Sequence, residues 1–388
     1  MTPPLWILVV LILQNPPAAQ ADVQDLTNRN ADFAARLYRA VASRSDDNVF
    51  LSPLTLSVGL SALMSAADGL TRLQLLQGLE FSGLDPETVP DLFQSLRTSV
   101  TQQGGASSLL QGVAIFPANN LQVSSAYLDL VRDKYGGTIQ SLDYTTPQDA
   151  IDAITRWSLE QTGDKIQNLA TNLDTQTQLL LVTVAYYQAQ FALSFNASLT
   201  QDERFYIDKY HVVVVPMMFR AGKYFLAYDW SLKVGVLKLP MTDGAAMLVV
   251  LPDENVDITT VEEDVSSEKV RAWIRQLKKT KLEVQIPRFL LERSLSLRGI
   301  MEAFNITHVF QDDASLINLG GTKGPRVTQV FHKAVITVDE KGNGEGRVSV
   351  IGSPPPRLTI NRPFLFLVYQ EVGGGVLLMG RVVDPSRK

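Results

Sequence analysis

The sequence predicts an α+β protein built as one large domain, and three observations carry this. Helix-period patterns dominate the first half of the chain and strand-like runs the second, a segregation that separates α+β from alternating α/β architecture. No low-complexity linker, sharp composition change or internal repeat divides residues 30–388. Val212-Val213-Val214-Val215 and Met247-Leu248-Val249-Val250-Leu251 are continuous apolar runs, the pattern of strands covered on both faces.

The chain opens with the apolar run Leu5–Leu13, too short to span a bilayer, which takes about 20 residues. Gln14–Pro17 break the run and Ala19-Gln20-Ala21 follows, so residues 1–21 are predicted to be a signal peptide cleaved before Asp22. Residues 22–29 then form an N-terminal segment, and residues 30–388 the single domain of a secreted, extracellular protein. Phe33, Leu37, Tyr38 and Val41 place an amphipathic helix over 30–42, followed by a short strand at 49–51. Ser52 is a helix N-cap with Pro53 at the first helical position. Leu56, Val58, Leu60, Leu63 and Met64, interleaved with small residues, leave that helix no polar face, so it is buried. Further helices are expected around 70–79, 87–102, 123–135, 147–161, 266–278 and 295–304. Strands are expected at 109–116, 179–187, 203–219, 224–239, 246–251 and 281–289, and throughout the C-terminal block.

Composition removes several function classes. The chain has no cysteine, which excludes disulfides, Cys-ligated zinc, iron–sulfur sites and thiol catalysis. A net charge of −5 excludes a globally basic nucleic-acid binder. His211, His308 and His332 are the only histidines, and no two have metal-binding spacing. No nucleophile elbow or Walker motif occurs, and Gly342-x-Gly344-x-Gly346 leads into Pro354-Pro355-Pro356 where a phosphate-binding helix would have to start. The chain is therefore read as no enzyme, with no catalytic residues, metal or cofactor. The carboxylate runs Glu262-Glu263-Asp264 and Asp312-Asp313 are read as facing solvent. Asn196-Ala197-Ser198 and Asn305-Ile306-Thr307 are candidate glycosylation sites.

Several blocks then match one family in order and spacing. They are the segment from Asn48 through Ser52-Pro53 to Ser57, Val215-Pro216-Met217-Met218, Leu251-Pro252-Asp253, Ile286-Pro287-Arg288-Phe289, His332-Lys333-Ala334, Asn361-Arg362-Pro363-Phe364 and Gly380-Arg381 to Pro385. From about residue 30 to 388 the chain resembles the serpins, and within them the secreted vertebrate plasma clade. The resemblance implies three β-sheets, eight or nine helices and a monomer with an exposed loop at 341–357. It implies suicide inhibition of a serine endopeptidase. The protease cleaves the loop, whose N-terminal half then enters the central sheet as a new strand.

Matched to the family, Glu340, Gly342, Asn343 and Glu345 form the hinge, and Gly352-Ser353 is the candidate bait bond. Arg347 and Arg357 begin alternative bonds for a trypsin-like protease. Ser52, Pro53, Thr183, Phe191 and His332 fall in the region that governs sheet opening. Thr183 stands where the family has Asn, Phe191 where it has Trp, and Thr55 replaces Ser. Glu340 and Arg288 match an ion pair at the top of the sheet. The family hinge is alanine-rich, whereas here Asn343, Glu345, Arg347 and Ser349 share the strand face that insertion would bury. The loop is also several residues shorter than in inhibitory serpins. Two readings follow: a protease inhibitor, or a non-inhibitory serpin acting as carrier, precursor or partner-binding protein. Lys269, Arg271, Arg275, Lys278, Lys279 and Lys281 form a candidate patch for a heparin-like polyanion, against which stands an ordinary solvated helix face.

Overall fold

The computed structural model describes residues 17–102, 108–320, 324–342 and 354–388. Its α-helices are α1 (Pro17–Ala42), α2 (Pro53–Ala66), α3 (Gly69–Gly78), α4 (Val89–Gln102), α5 (Ser125–Leu130), α6 (Pro147–Thr162), α7 (Ile258–Asp264), α8 (Ser267–Gln276), α9 (Arg298–Ala303) and α10 (Ile317–Gly320). The first seven strands are β1 (Val49–Leu51), β2 (Leu109–Pro117), β3 (Thr138–Ile139), β4 (Leu179–Gln188), β5 (Gln201–Tyr206), β6 (Val212–Asp229) and β7 (Val234–Pro240). The rest are β8 (Ala245–Pro252), β9 (Lys278–Pro287), β10 (Phe289–Ser296), β11 (Gln329–Val338), β12 (Arg357–Thr359), β13 (Phe364–Gln370) and β14 (Val376–Val382).

These strands make two hydrogen-bonded sheets among the described residues. One has the order β10-β11-β4-β2-β3; the other runs β1-β14-β13-β8-β7-β6-β9-β12, with β5 added to β6. The family resemblance implies three sheets. Here the 18-residue strand β6 pairs with β9 at one end and with β7 at the other, so two of the three are continuous. Among the described residues there are ten α-helices, of which α5, α7, α9 and α10 have seven residues or fewer.

Helix α2 lies under the five-stranded sheet. Ser52 Oγ accepts from the Thr55 amide, Pro53 occupies the first turn, and almost every side chain of the helix is buried. Gly59 lets it approach closely: a Cβ there would lie 3.0 Å from Thr183 Cγ2 and 3.1 Å from Leu181.

Several expectations change. The predicted strand 203–219 is a hairpin, because Asp208 Oδ1 accepts from the amides of Tyr210 and His211 and turns the chain between β5 and β6. The Val212–Val215 run is covered on one face only: Val212 and Val214 are 46% and 64% exposed, whereas Val215 is buried. By contrast, β8 is buried along its whole length. Glu262 does not face solvent. It is buried, 2.7 Å from Arg381 Nη1, and accepts from Tyr38 Oη at 2.5 Å. Asp312 and Asp313 are exposed and pair with Arg326 and His308. The Ala21–Asp22 bond, expected to be a cleavage site, lies within the run of α1.

Candidate functional site

Strands β4 and β11 lie side by side and parallel, paired from Gln329↔Leu180 to Thr337↔Gln188. A strand inserted between these two parallel neighbours and running opposite to both would turn the seam into two antiparallel pairs. The seam is closed along its length. Above it, Gly342 forms a parallel bridge with Phe191, and the Phe191 amide donates to Lys341 O at 3.0 Å. A Cβ at residue 342 would sit 2.1 Å from Phe191 O, so glycine is required by the closeness of the two backbones. Phe191 is itself held by an edge-to-face contact with Phe195, at 5.2 Å between ring centroids.

Two residues pin the hinge. Glu340 Oε1 accepts from Arg288 Nη2 at 2.5 Å and from the Thr200 hydroxyl at 2.6 Å. Burial opposes ionisation of Glu340, but these two donors outweigh it and hold its pKa below the usual carboxylate range. The carboxylate raises the pKa of Arg288 in return, through the same hydrogen bond. Thr200 carries no sequence signal for this role, since it lies 140 residues from its partner.

Beneath the seam sits a buried polar network. The Ser52 amide donates to His332 Nε2 at 2.9 Å, so the imidazole proton is on Nδ1 and donates to Thr183 Oγ1 at 2.8 Å. The Thr183 hydroxyl can then donate to Phe331 O at 3.3 Å. Ser52 Oγ reaches Leu377 O at 2.9 Å and Thr55 Oγ1 at 2.8 Å, and Thr55 Oγ1 lies 2.8 Å from the Gln111 amide. Two hydroxyl protons serve three contacts, and the chain closes when Gln111 presents its NH2 to Thr55. Gln111 was not singled out from the sequence, because nothing local marks it.

Burial lowers the pKa of His332 to about 3. Its unfolded pKa is about 6.5, so the stability of the neutral form is complete above that value and is lost as pH falls toward 3. Between pH 7.5 and 4.5 this one residue is expected to remove about 2–3 kcal/mol of stability. Urea unfolding midpoints against pH test this: in His332→Gln, whose amide can still accept from Ser52, the acid-side slope should flatten relative to wild type. Parallel slopes would refute the assignment.

The other end of the loop is anchored on β9. The Glu283 amide donates to Pro356 O at 2.9 Å, and Arg357 Nη2 lies 2.8 Å from Glu283 Oε2. Arg357 begins β12, so the expected alternative cleavage bond Arg357–Leu358 is paired with β9 and a protease would first have to strip that strand away. Asn343, Glu345, Arg347, Gly352 and Ser353 lie outside the described residues.

The basic patch is reorganised. Helix α8 ends at Gln276, so Lys278, Lys279 and Lys281 belong to β9 and do not continue the helical stripe with Arg271 and Arg275. Lys269 is drawn to Asp229 at 3.1 Å. Register adds a residue the sequence reading missed: Lys223 of β6 stands directly opposite Lys281, and Phe225 opposite Lys279. Asn196 and Asn305 are both exposed.

These features define an α+β protein that tethers a loop at both ends above a closed parallel seam. The family described as serpin (serine protease inhibitor) matches residues 28–385, and the chain belongs to the serpin family. Protein Z-dependent protease inhibitor of Homo sapiens is 30% identical over 374 residues, covering 94% of this chain and 84% of that protein. The plasma serine protease inhibitor of Homo sapiens is 29% identical over 409 residues, covering 98% and 100%. Among solved structures, mouse protein Z-dependent protease inhibitor superposes with a TM-score of 0.89 at 29% identity, covering 95% of this chain and 99% of that one. Thyroxine-binding globulin complexed with thyroxine gives 0.87 at 28% identity, covering 93% and 99%.

Proposed function

We propose that this chain is a secreted serpin that meets serine endopeptidases through loop 341–357, offering Gly352–Ser353 as the bait bond, with the family activity of suicide inhibition. The observation that carries this reading is the closed β4–β11 seam beneath a loop tethered at Gly342 and Pro356. That arrangement leaves β4 paired directly with β11, with no strand between them among the described residues. Its relatives include proteins named as protease inhibitors. The second reading, a non-inhibitory carrier, precursor or partner-binding serpin, is favoured by the charged hinge face of Glu345 and Arg347 and by the likeness to thyroxine-binding globulin.

Incubation with trypsin or elastase separates the two. An SDS-resistant complex, and a large rise in melting temperature after loop cleavage, support inhibition. Cleavage between residues 343 and 353 without a complex, and with an unchanged melt, sinks inhibition and supports the second reading. The exposed Asn196 and Asn305 support N-glycosylation on the secretory route.

A heparin-like polyanion is the partner that best suits the patch. Like charges placed directly opposite on neighbouring strands repel, as Lys223 and Lys281 do here, and an anion bridging them removes that penalty. Heparin–agarose should retain the protein above physiological salt. Lys223→Ala/Lys281→Ala should elute at distinctly lower salt, with an unchanged melting temperature. Elution of wild type below physiological salt would rule the polyanion out.

A further inference from the structure

Strand β5 is an open edge: it pairs with β6 on one side, and no strand covers its other side among the described residues. The hairpin decides which backbone groups face outward. The Ile207 amide donates to His211 O at 3.0 Å, so residues 203, 205 and 207 turn their amides and carbonyls toward β6. Asp202, Arg204 and Tyr206 turn theirs away. The Tyr206 amide is already used, donating to Asn361 O at 2.8 Å, and the Thr200 amide donates back to Ala197 O at 3.3 Å. The open stretch is therefore Asp202 to Arg204, and all three residues are exposed.

Natural sheet edges are commonly blunted by proline, lysine or a bulge. Strand β5 has none of these, and its register with β6 is unbroken. It carries instead an acid and a base at alternate positions, Asp202 and Arg204, on one face. Neither side chain has an ion-pair or hydrogen-bond partner among the described residues. The same face continues into Tyr206, Val212 and Val214, which are 42%, 46% and 64% exposed. Val214 stands opposite Arg204 and Val212 opposite Tyr206.

Such a segment complements a copy of itself. Laid antiparallel about a two-fold axis through residue 203, Asp202 meets the partner's Arg204, and Arg204 meets the partner's Asp202. Both pairs fall at hydrogen-bonded positions, so the outward amides and carbonyls of the stretch are all used. Moving the axis one residue either way sets Asp202 against Asp202 or Arg204 against Arg204. It also calls on the amides of Thr200 or Tyr206, which are already engaged. Glu203 faces its own copy across the axis, a like-charge contact that keeps the association weak and reversible.

We infer that this chain forms a two-fold dimer through the β5 edge, with a second copy of the chain as the added strand. The monomer that the family resemblance implies is then the dilute form. The inference does not rest on whether the loop inhibits a protease.

Sedimentation velocity of the full chain over a concentration series should show a reversible monomer–dimer equilibrium. Asp202→Arg and Arg204→Asp each bring like charges together at both pairs, so each alone should weaken dimerisation by about tenfold or more. Mixed in equal amounts, the two variants restore opposite charges at both pairs and should associate at least as tightly as wild type. Glu203→Gln removes the repulsion on the axis and should tighten the dimer severalfold. The chain has no cysteine, so Glu203→Cys supplies a geometric test. Residues opposed at a non-hydrogen-bonded position lie about 4.5 Å apart at Cα. That falls within the span of about 4.4–6.8 Å that a disulfide bridges. With oxidised glutathione, Glu203→Cys should cross-link in high yield, and Tyr210→Cys, 80% exposed on the adjoining turn, should not. Every substituted side chain is exposed, so the variants should keep the wild-type melting temperature. If wild type and Glu203→Gln both stay monomeric at the highest soluble concentration, the proposal is overturned and the edge is left to the strand of a different protein. A dimer indifferent to Arg204→Asp, or equal cross-linking of the two cysteine variants, overturns the β5 interface.

Discussion

Arg381→Met is expected to destabilise the protein by about 3–5 kcal/mol, because it leaves Glu262 buried and without its counter-charge. Both side chains are nearly inaccessible, at 3% and 7% exposure, so water cannot replace the lost partner. Arg381 also donates to the carbonyls of Ser45 and Asp47, and Glu262 accepts from Tyr38. The guanidinium thus joins β14, α7 and the segment after α1, which the sequence separates by hundreds of residues. Replacing both members of the pair, Arg381→Met/Glu262→Met, should recover much of the loss, since a buried ion pair and an apolar pair of similar size are often close in stability. Urea midpoints of the two single variants and the double variant measure this. If the double variant loses as much as the single changes added together, the pair is not coupled and the account fails.

Glu262 also shows where sequence reading ended. In a run of three carboxylates a solvated face is the ordinary outcome, and the partner that reverses it lies 119 residues away. The same limit applies to Thr200 at the hinge and Gln111 under the seam, whose roles come only from long-range contacts. Local chemistry was legible: the Ser52-Pro53 start of α2 and its buried character could be argued from residue types, whereas the close approach of Gly342 to Phe191 came only from the structure. Register was less so. The four valines at 212–215 read as a doubly covered strand because alternation is invisible when every residue is apolar, and only pairing with β5 decides which are exposed. Register likewise separates Lys279 and Lys281 from the helical stripe and sets Lys223 beside them. Family-level likeness supplied the loop, the hinge and the sheet-opening region, none of which periodicity alone could have assigned, and strand pairing alone located the seam.

Glu345→Ala/Arg347→Ala is expected to shift the outcome of protease attack by more than tenfold from simple cleavage toward stable complex. Insertion between β4 and β11 would carry Asn343, Glu345, Arg347 and Ser349 to the same side of the new strand, because side chains alternate along it. Beneath the seam that side meets the buried network of Thr183 and His332 and the close-packed turn of α2 at Gly59, all already satisfied or filled. An unpaired charge placed there costs several kcal/mol after relaxation, about the value of a broken buried pair. Since about 1.4 kcal/mol is a factor of ten in rate, removing two such charges should change the competition between insertion and deacylation decisively. The readout is the ratio of SDS-resistant complex to cleaved chain with trypsin, together with the melting temperature of the cleaved form. If the double alanine variant yields no more complex than wild type, with the same melt of the cleaved form, charge is not what restrains insertion, and the shortness of the 343–353 segment becomes the restraint to test. Lengthening that segment by four alanines in the same background then becomes the discriminating variant, because it restores reach without altering the anchors at Gly342 and Pro356.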